Sequence, residues 1–182
     1  MVSKIIETGK MLKSKNVRYE LGAKAVPPNI PKFLDCSGFV RYCFLAAGIK
    51  VPDGTYHQFN ASIPISVNEL KVGDIGFLQL PTDKGINHIG IYMGNSQWMH
   101  CNYSRNGITI EKTNMFKYIR RFKGVKEDYK VENTKINVDG KIIDVRSINH
   151  ENQNYISLRD LEKAGLKVSY DSSKKMPVVS TK

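Results

Sequence analysis

The sequence predicts an α+β fold, and three observations lead to that prediction. A helix pattern that is apolar on most sides comes first, and a series of short antiparallel strand patterns follows it. The composition, 41% hydrophobic and 25% charged over 182 residues, is that of a globular protein able to bury a core without a metal or a disulfide. The last 50 or so residues carry a separate pattern of their own. We therefore expect two domains, residues 1–128 and 129–182.

Composition and charge bound the class of protein. No stretch approaches the ~20 apolar residues of a membrane span, and internal repeats are absent. The net charge is +11, from 28 basic and 17 acidic side chains, which favours anionic surroundings, although a solvated surface explains it equally simply. The basic clusters and aromatic platforms of nucleic-acid binders are missing, so no nucleic-acid partner is expected. The odd number of cysteines, three, argues against a disulfide framework.

The first fifteen residues predict an amphipathic helix rather than a signal peptide. Val2, Ile5, Ile6 and Leu12 recur at helical spacing with lysines between them. A signal peptide needs 7–15 continuous apolar residues, and this segment has none. We therefore expect the protein to reach its site of action by another route. Three prolines between residues 27 and 31 then predict a loop.

A buried helix is predicted next, from Cys36 to about Gly48. Its residues are apolar on most sides, which is typical of a helix inside a core. Asp35 is the candidate N-cap, and Gly48 supplies the left-handed residue that ends many helices.

Four strands are predicted after this helix. A turn over residues 71–74 leads into the first, and the second and third are joined across Gly94-Asn95-Ser96. The fourth precedes a stretch that ends in Arg120-Arg121. The predicted ranges are residues 75–80, 87–93, 97–103 and 107–112.

The tail predicts a small ββαββ unit over residues 134–180. Asp139-Gly140 is the pair most favoured in a two-residue hairpin turn. Ser157 and Asp160 form the pattern of a capping box for a short helix that ends at Gly165. Pro177, in the last strand, indicates the edge of a sheet. A polar run over residues 126–130 marks the boundary with the first domain.

Cys36 is the candidate nucleophile. A cysteine attacks as its thiolate, whose formation from a thiol of pKa about 8.5 is favoured at the start of a helix. Polar Asp35 and Ser37 flank Cys36, whereas Cys43 lies inside the apolar helix and fits a small buried hydrophobe. Cys101 is also expected in the core.

His88 and His100 are the candidate partners of this thiol. A three-residue loop at 94–96 pairs residue 90 with 100 and places both histidines on one face, diagonal to each other. A loop at 93–95 would set them directly opposite, and a two-residue loop would send them to opposite faces. One histidine can then act as base while the other orients it. A zinc site with Cys36 or Cys101 lacks supporting ligand spacing, so neither metal nor cofactor is expected.

At these residues the sequence resembles the NlpC/P60 family of cell-wall cysteine peptidases, from about Tyr19 to Arg121. Arg120-Arg121 is similar to the closing pair of the family. The other motifs that carry the resemblance are Leu34-Asp35-Cys36-Ser37-Gly38-Phe39-Val40, Ala47-Gly48-Ile49, Lys71-Val72-Gly73-Asp74-Ile75, Asn87-His88-Ile89-Gly90-Ile91-Tyr92-Met93-Gly94 and Trp98-Met99-His100.

The resemblance implies a papain-like NlpC/P60 fold and a Cys-His-His triad. Cys36 would attack a peptide carbonyl, His88 would act as general base and acid, and His100 would orient His88. The backbone N–H of Cys36 would help to hold the oxyanion. The resemblance also implies that the site is lined by three substrate-binding residues, of which the aspartate suits a free ammonium group: Tyr19, Asp35 and Ser37.

The implied substrate is the stem peptide of peptidoglycan, cut between γ-D-glutamate and a diamino acid. Leu21 stands where the family has Trp, and Asp53 where many members carry Arg, which leaves the bond specificity open. A wall-binding protein without turnover, or an amidase or acyl transferase with the same machinery, are the alternatives. Release as a phage lysin, delivery by a phage tail, or excision from a longer secreted chain would each bring the protein to the wall.

Residues 134–180 resemble the copper amine oxidase-like N-terminal module of bacterial surface proteins, through residues 135–141 and 155–161. The resemblance implies neither copper nor oxidase chemistry, since His150 alone could not hold a metal. It implies an accessory, wall-associating role, with a purely structural appendage as the alternative. The first 129 residues carry 18 basic and 10 acidic side chains, a net +8 that would draw them to anionic wall polymers. The oligomeric state stays open.

Overall fold

The computed structural model divides the chain into two units, Met1–Asp128 and Tyr129–Lys182. It describes residues 1–79, 88–129, 131–150, 153–174 and 176–180. Leu80 and Asn87, at the ends of two predicted strands, lie outside the described residues. None of the described helices is long and apolar enough to cross a membrane.

The helices of the described residues are short. A single 3₁₀ turn, Val67–Glu69, precedes β4. The α-helices are α1 (Val2–Ser14), α2 (Cys36–Ala46), α3 (Thr55–Asn60) and α4 (Leu158–Lys163).

The strands of the first unit are β1 (Arg18–Tyr19), β2 (Phe33–Leu34), β3 (Ser62–Pro64), β4 (Ile75–Phe77), β5 (Ile89–Gly94), β6 (Gln97–Asn102), β7 (Gly107–Lys112) and β8 (Tyr118–Phe122). Those of the second unit are β9 (Val131–Val138), β10 (Lys141–His150), β11 (Gln153–Ile156), β12 (Lys167–Asp171) and β13 (Met176–Ser180).

A six-stranded sheet frames the first unit, in the order β3-β8-β4-β5-β6-β7. Every neighbouring pair in it is antiparallel. Helix α2 packs on β5 and β6 and against α1. The order of helix first and antiparallel strands after confirms the α+β prediction.

The core of this unit forms where α1 and α2 meet the sheet. Ile5 and Leu12 of α1 are fully buried, as the amphipathic pattern predicted. Gly9 lies between them, and a Cβ there would come within 2.2 Å of the Met99 side chain on β6. Gly48 follows α2 with a φ of +82°, which confirms it as the residue that ends this helix.

Two of the sequence motifs meet in a buried ion pair. Asp74, 1% exposed, accepts hydrogen bonds from Arg121, with Nε to Oδ1 at 2.6 Å and Nη2 to Oδ2 at 2.8 Å. The backbone N–H of Lys71 also donates to Asp74 Oδ2, at 2.7 Å. The neighbouring Arg120 lies over the ring of Phe59, 3.9 Å from its centroid. These motif residues therefore join the turn before β4 to β8 and hold the sheet together.

The second unit contains one strand more than the sequence predicted. Strands β9, β10 and β11 form one sheet, and β12 pairs with β13. The predicted ββαββ order is therefore wrong, because it lacks β11. The four residues of β11 are all exposed, so no alternation of apolar and polar side chains marks this strand in the sequence. The two-residue turn at Asp139-Gly140 is confirmed, with φ values of +50° and +83°. The buried core here consists of three described side chains, Ile143, Val145 and Leu161.

Replacing Asp74 by alanine is expected to lower the free energy of unfolding of the first unit by roughly 3 kcal/mol, because Arg121 and the Lys71 N–H lose a buried partner. Guanidinium titration followed by the fluorescence of Trp98, the chain's one tryptophan, measures this. Lys24→Ala, which breaks an exposed pair with Asp53, is the control and should cost less than about 1 kcal/mol. Equal losses in the two variants would contradict the role given to Asp74.

Candidate active site

Asp35 fixes the start of the helix that carries Cys36. Its Oδ1 accepts hydrogen bonds from the Gly38 N–H at 2.6 Å and the Ser37 hydroxyl at 2.9 Å. Its Oδ2 accepts from the Gly22 N–H at 3.1 Å. The predicted N-cap is thus confirmed. One carboxylate holds the first turn of α2 and the loop before it together, and Cys36 lies at that junction.

The Cys36 thiol is buried, with 7% of the residue exposed, and lies at the backbone N–H of Ile89 at the start of β5. Burial, and after it the Asp35 carboxylate, raise the pKa of Cys36 to about 11. The backbone N–H groups of Ile89, Ser37 and Cys36 itself lower it, but by less. Burial therefore opposes the thiolate that the helix start was expected to favour.

The hairpin that carries the histidines has a two-residue turn and a compensating bulge. Gly94 pairs with Gln97 across Asn95 and Ser96, both with positive φ, so the predicted three-residue loop is wrong. Such a turn alone would separate the histidines. However, the register shifts at Met93, and Tyr92 then pairs with Trp98 and Ile91 with Met99. Extended, this register sets residue 90 opposite 100, as predicted.

His88 and His100 accordingly lie side by side. His88 Nε2 is 2.7 Å from His100 Nδ1. Burial, and then the neighbouring His100, lower the pKa of His88 to about 4. Burial also lowers the pKa of His100, although Glu111 opposes this. Both rings are thus neutral near pH 7, so His88 keeps one ring nitrogen unprotonated.

Glu111 was missed by the sequence analysis. Its Oε1 lies 3.0 Å from His100 Nε2, on the side of the ring away from His88. Glu111 sits in β7, where Thr109 pairs with His100 and Glu111 with Trp98. Alternation along the predicted strand places Glu111 and Thr109 on one face, and that signal could have found it once the β6–β7 register was known.

An aromatic wall covers the two histidines. The Phe116 ring stacks on His88 at 23° between planes and 5.8 Å between centroids, and meets His100 edge-on at 5.6 Å. Trp98 lies 4.7 Å from the same ring. Phe116 was also missed, because it belongs to no strand or helix and no periodic pattern marks it.

Two facing glycines make room for this wall. Gly76 of β4 pairs with Gly90 of β5. A Cβ on Gly90 would lie 2.6 Å from the Phe116 ring, and one on Gly76 2.7 Å from Trp98. The Phe116 ring therefore fills the space beside Gly90.

The predicted substrate-binding residues gather at the same end of α2. The Tyr19 hydroxyl lies close enough to Cys36 and Asp35 that their charges, after burial, raise the pKa of Tyr19. Tyr103 packs edge-on against the Tyr19 ring at 5.9 Å. Ser37 is buried, and its hydroxyl is bound to Asp35. The roles of these residues toward a substrate stay predictions.

The other thiols differ from Cys36. Cys43 and Cys101 are fully buried, and Cys101 donates to the Leu34 carbonyl at 3.3 Å, so both belong to the core as expected. Over the part of the chain that the structure describes, no group of three or more His, Cys, Asp or Glu side chains is placed to hold a metal ion.

Comparison with known sequences identifies the family. The NlpC/P60 family model matches residues 16–127, more than half of the chain. The chain therefore belongs to the NlpC/P60 family.

Individual relatives agree with this assignment. A stretch of 83 residues is 39% identical to Probable endopeptidase p60 of Listeria innocua, covering 46% of this chain and 17% of that protein. Over 101 residues the chain is 35% identical to Murein DD-endopeptidase MepS/Murein LD-carboxypeptidase of Escherichia coli, covering 55% of this chain and 50% of that protein. The chain thus spans half or less of the length of these relatives.

A solved structure shows the same fold. The NlpC/p60 domain of the peptidoglycan hydrolase SagA aligns with a TM-score of 0.56 at 24% identity, covering 67% of this chain and 99% of that one.

Gly90→Ala is expected to lower the free energy of unfolding by roughly 2 kcal/mol, because its methyl group forces Phe116 off His88. Denaturant titration of Trp98 fluorescence measures the loss. The double variant Gly90→Ala/Phe116→Leu is the control, since the smaller side chain admits the methyl group. If Gly90 and Phe116 clash in this way, the double variant loses less free energy of unfolding than the two single variants together. A loss larger than the sum of the two single losses would contradict the clash.

Alkylation of Cys36 by iodoacetamide is expected to accelerate about tenfold per pH unit between about pH 6 and pH 9, because a thiol of raised pKa forms thiolate only in proportion to rising pH. Mass spectrometry of the labelled chain measures the rate. The Cys36→Ala variant reports any labelling of the two core thiols. A rate independent of pH over this range would instead indicate a thiolate–imidazolium pair.

Proposed function

We propose that the chain is a peptidoglycan hydrolase, a cysteine endopeptidase that cuts wall stem peptides through Cys36, His88 and His100. The observation that supports this most directly is the His88–His100 contact of 2.7 Å, together with the hydrogen bond between Cys36 and the backbone N–H of Ile89, the residue after His88. The names of the Listeria and Escherichia coli relatives, both endopeptidases, support the same proposal.

The proposed reaction begins with the neutral thiol. Because His88 Nε2 is engaged with His100, the other ring nitrogen, Nδ1, takes the proton from Cys36 as Sγ attacks the carbonyl carbon. The carbonyl oxygen becomes an oxyanion, which the Cys36 backbone N–H helps to hold. His88 then gives its proton to the leaving nitrogen, the C–N bond breaks and a thioester forms. His88 next takes a proton from water as the water oxygen attacks the thioester carbonyl. The C–S bond then breaks, the carboxylic acid leaves, and His88 returns the proton to Cys36.

Generating the thiolate only at the moment of attack fits this environment. With the pKa of Cys36 raised to about 11 and that of His88 lowered to about 4, the pair rests without charge near neutral pH. The acid limb of activity should therefore reflect protonation of His88 and lie well below pH 6.

The bond that we propose is the one between γ-D-glutamate and a diamino acid. In this proposal Asp35 receives the free ammonium group at the amino end of the peptide, and Tyr19 packs beside it. Ser37 contributes by holding Asp35 through its hydroxyl. Asp53, where many family members carry Arg, pairs with Lys24. The backbone of Lys24 lies against Gly38 in the first turn of α2, so this pair is placed to affect specificity.

We further propose that the protein acts at the cell wall, with Tyr129–Lys182 as an accessory module of the copper amine oxidase-like type. The +8 charge of the first 129 residues, 18 basic minus 10 acidic, supports attraction to anionic wall polymers. Such attraction weakens in salt, over a Debye length of about 8 Å at physiological ionic strength. Phage-type release or excision from a longer secreted chain would deliver it there.

The test is mass spectrometry of purified muropeptides incubated with the wild type and with Cys36→Ala. The wild type is expected to produce fragments ending in γ-D-glutamate. Cys36→Ala and His88→Ala should lose activity by roughly 10⁴-fold or more, because members of a catalytic unit fail together. His57→Ala, which removes an exposed histidine of α3, is the matched control and should keep full activity.

The products decide among the alternatives. If a different bond is cut, such as the muramyl amide, the cysteine mechanism stands, and the protein is an amidase instead of an endopeptidase. If muropeptides from several wall types stay uncut, and both the wild type and Cys36→Ala sediment with cell walls, the protein is a wall-binding protein and not a hydrolase.

A further inference from the structure

We infer that Glu111 is a positioning residue that fixes the protonation pattern of both histidines, so that His88 presents an unprotonated Nδ1 as base. This inference rests on the proposed function only in naming His88 as the base. The arrangement of donors and acceptors around His100 stands on its own.

Asn102 lies next to His100 on the same face of β6. Its Oδ1 accepts hydrogen bonds from the Arg105 N–H at 2.8 Å and the Ser104 hydroxyl at 3.1 Å. The amide orientation is thereby set, and the Nδ2 group, which can only donate, lies 3.4 Å from His100 Nδ1. His100 Nδ1 is therefore an acceptor.

The proton of His100 then belongs on Nε2. A neutral imidazole carries one N–H and one acceptor nitrogen. His100 is only 2% exposed, so an Nε2–H without a partner would be costly. Glu111 Oε1 accepts it at 3.0 Å, and Thr109 Oγ1 lies at 3.3 Å from the same nitrogen. Since a carboxylate can only accept, Glu111 enforces this tautomer.

The tautomer of His100 also determines which nitrogen of His88 carries the proton. Because His100 Nδ1 accepts, His88 Nε2 at 2.7 Å must donate, and His88 carries its proton there. Its Nδ1 is left with a lone pair. A chain of hydrogen bonds thus runs from Glu111 through His100 to His88 and ends in a base. Without Glu111, the buried Nε2–H of His100 loses its carboxylate acceptor, and the tautomer with the proton on Nδ1 becomes populated at the expense of the longer, 3.4 Å contact with Asn102. His88 Nε2 must then accept, its own proton moves to Nδ1, and the base is lost.

Three titratable or charged groups and one neutral amide surround His100. Glu111 from β7 favours its protonated form, while Arg105, whose Nη2 lies 3.8 Å from Glu111 Oε2, opposes it. His88, directly before β5, is the third group, and the amide of Asn102 is polar but uncharged. Removing the Glu111 carboxylate therefore leaves Arg105 as the dominant charge and disfavours a positive charge on either ring.

The experiment compares Glu111→Leu and Glu111→Gln with the wild type, using the full chain labelled with ¹⁵N at histidine. Long-range ¹H–¹⁵N spectra assign the tautomer of each ring without a substrate. The wild type should show Nε2–H on both His88 and His100. Glu111→Leu should show a mixture on His100, whereas the amide oxygen of Glu111→Gln can still accept and should keep the wild-type tautomer. Lys112→Gln, the neighbouring exposed residue of β7, is the matched control.

Hydrolysis of muropeptides provides the second readout. Glu111→Leu should lose about 10²–10³-fold in kcat with KM changed less than about threefold, since the effect is on proton transfer and not on binding. Glu111→Gln should stay within about tenfold of the wild type, with the acid limb of its kcat profile moved to lower pH by roughly half a unit, because a stabilising negative charge is gone. A residue that merely supported the sheet would not move this limb.

Wild-type tautomers in Glu111→Leu, or kcat values of both variants equal to wild type, would overturn the inference. If Glu111→Leu does not fold, the tautomers and acid limb of Glu111→Gln decide alone: an unmoved limb overturns it. A wild type that shows the expected tautomers but cuts no muropeptide would instead overturn the proposed function and leave the inference standing.

Discussion

The register between β5 and β6 is the constraint on which the rest of the site depends. A tight turn at Asn95-Ser96 by itself would leave His88 and His100 on opposite faces of the sheet. The bulge at Met93 adds one residue to β5 and returns both rings to one face. The same register brings Gly90 opposite His100, where only a residue without a side chain leaves space for the Phe116 ring. A single extra residue thus sets the histidine pair and the wall that covers it.

The site combines strong burial with few charges, and this combination determines its chemistry. Desolvation disfavours both the thiolate and the imidazolium, so the resting pair is neutral. The carboxylates nearby have structural partners of their own: Asp35 is bound by backbone N–H groups, and Glu111 by His100. In the proposed reaction, the proton therefore passes between the Cys36 thiol and the His88 imidazole. Outside the site, the ion pair of Asp74 with Arg121 holds the strands that support it.

Local patterns in the sequence predicted much of this arrangement, and long-range pairing explains what they missed. Asp35 and Gly48 marked the two ends of α2 because capping and left-handed residues act within one turn. The histidine pair followed from strand alternation. The Met93 bulge was not predictable, because Gly94-Asn95-Ser96 permits either loop length and only tertiary packing selects one. Glu111 and Phe116 reach the histidines through the register of β7 and through an irregular segment, neither of which a local pattern specifies.

The Asp35 carboxylate fixes the position of Cys36 independently of most of the loop that precedes α2. The loop before α2 is held at its first end by two hydrogen bonds with Asp35. The Gly22 N–H donates to the Asp35 side chain, and the Asp35 N–H donates to the Ala23 carbonyl. Its other end is held by the pairing of Leu34 with Tyr19. Between these anchors the segment is largely exposed, and its middle is bound to α2 by the Tyr42 hydroxyl, which donates to the Asn29 carbonyl at 3.1 Å. Evolution, or an engineer, can therefore exchange part of this segment while the contacts of Asp35 keep the Cys36 thiol in its position.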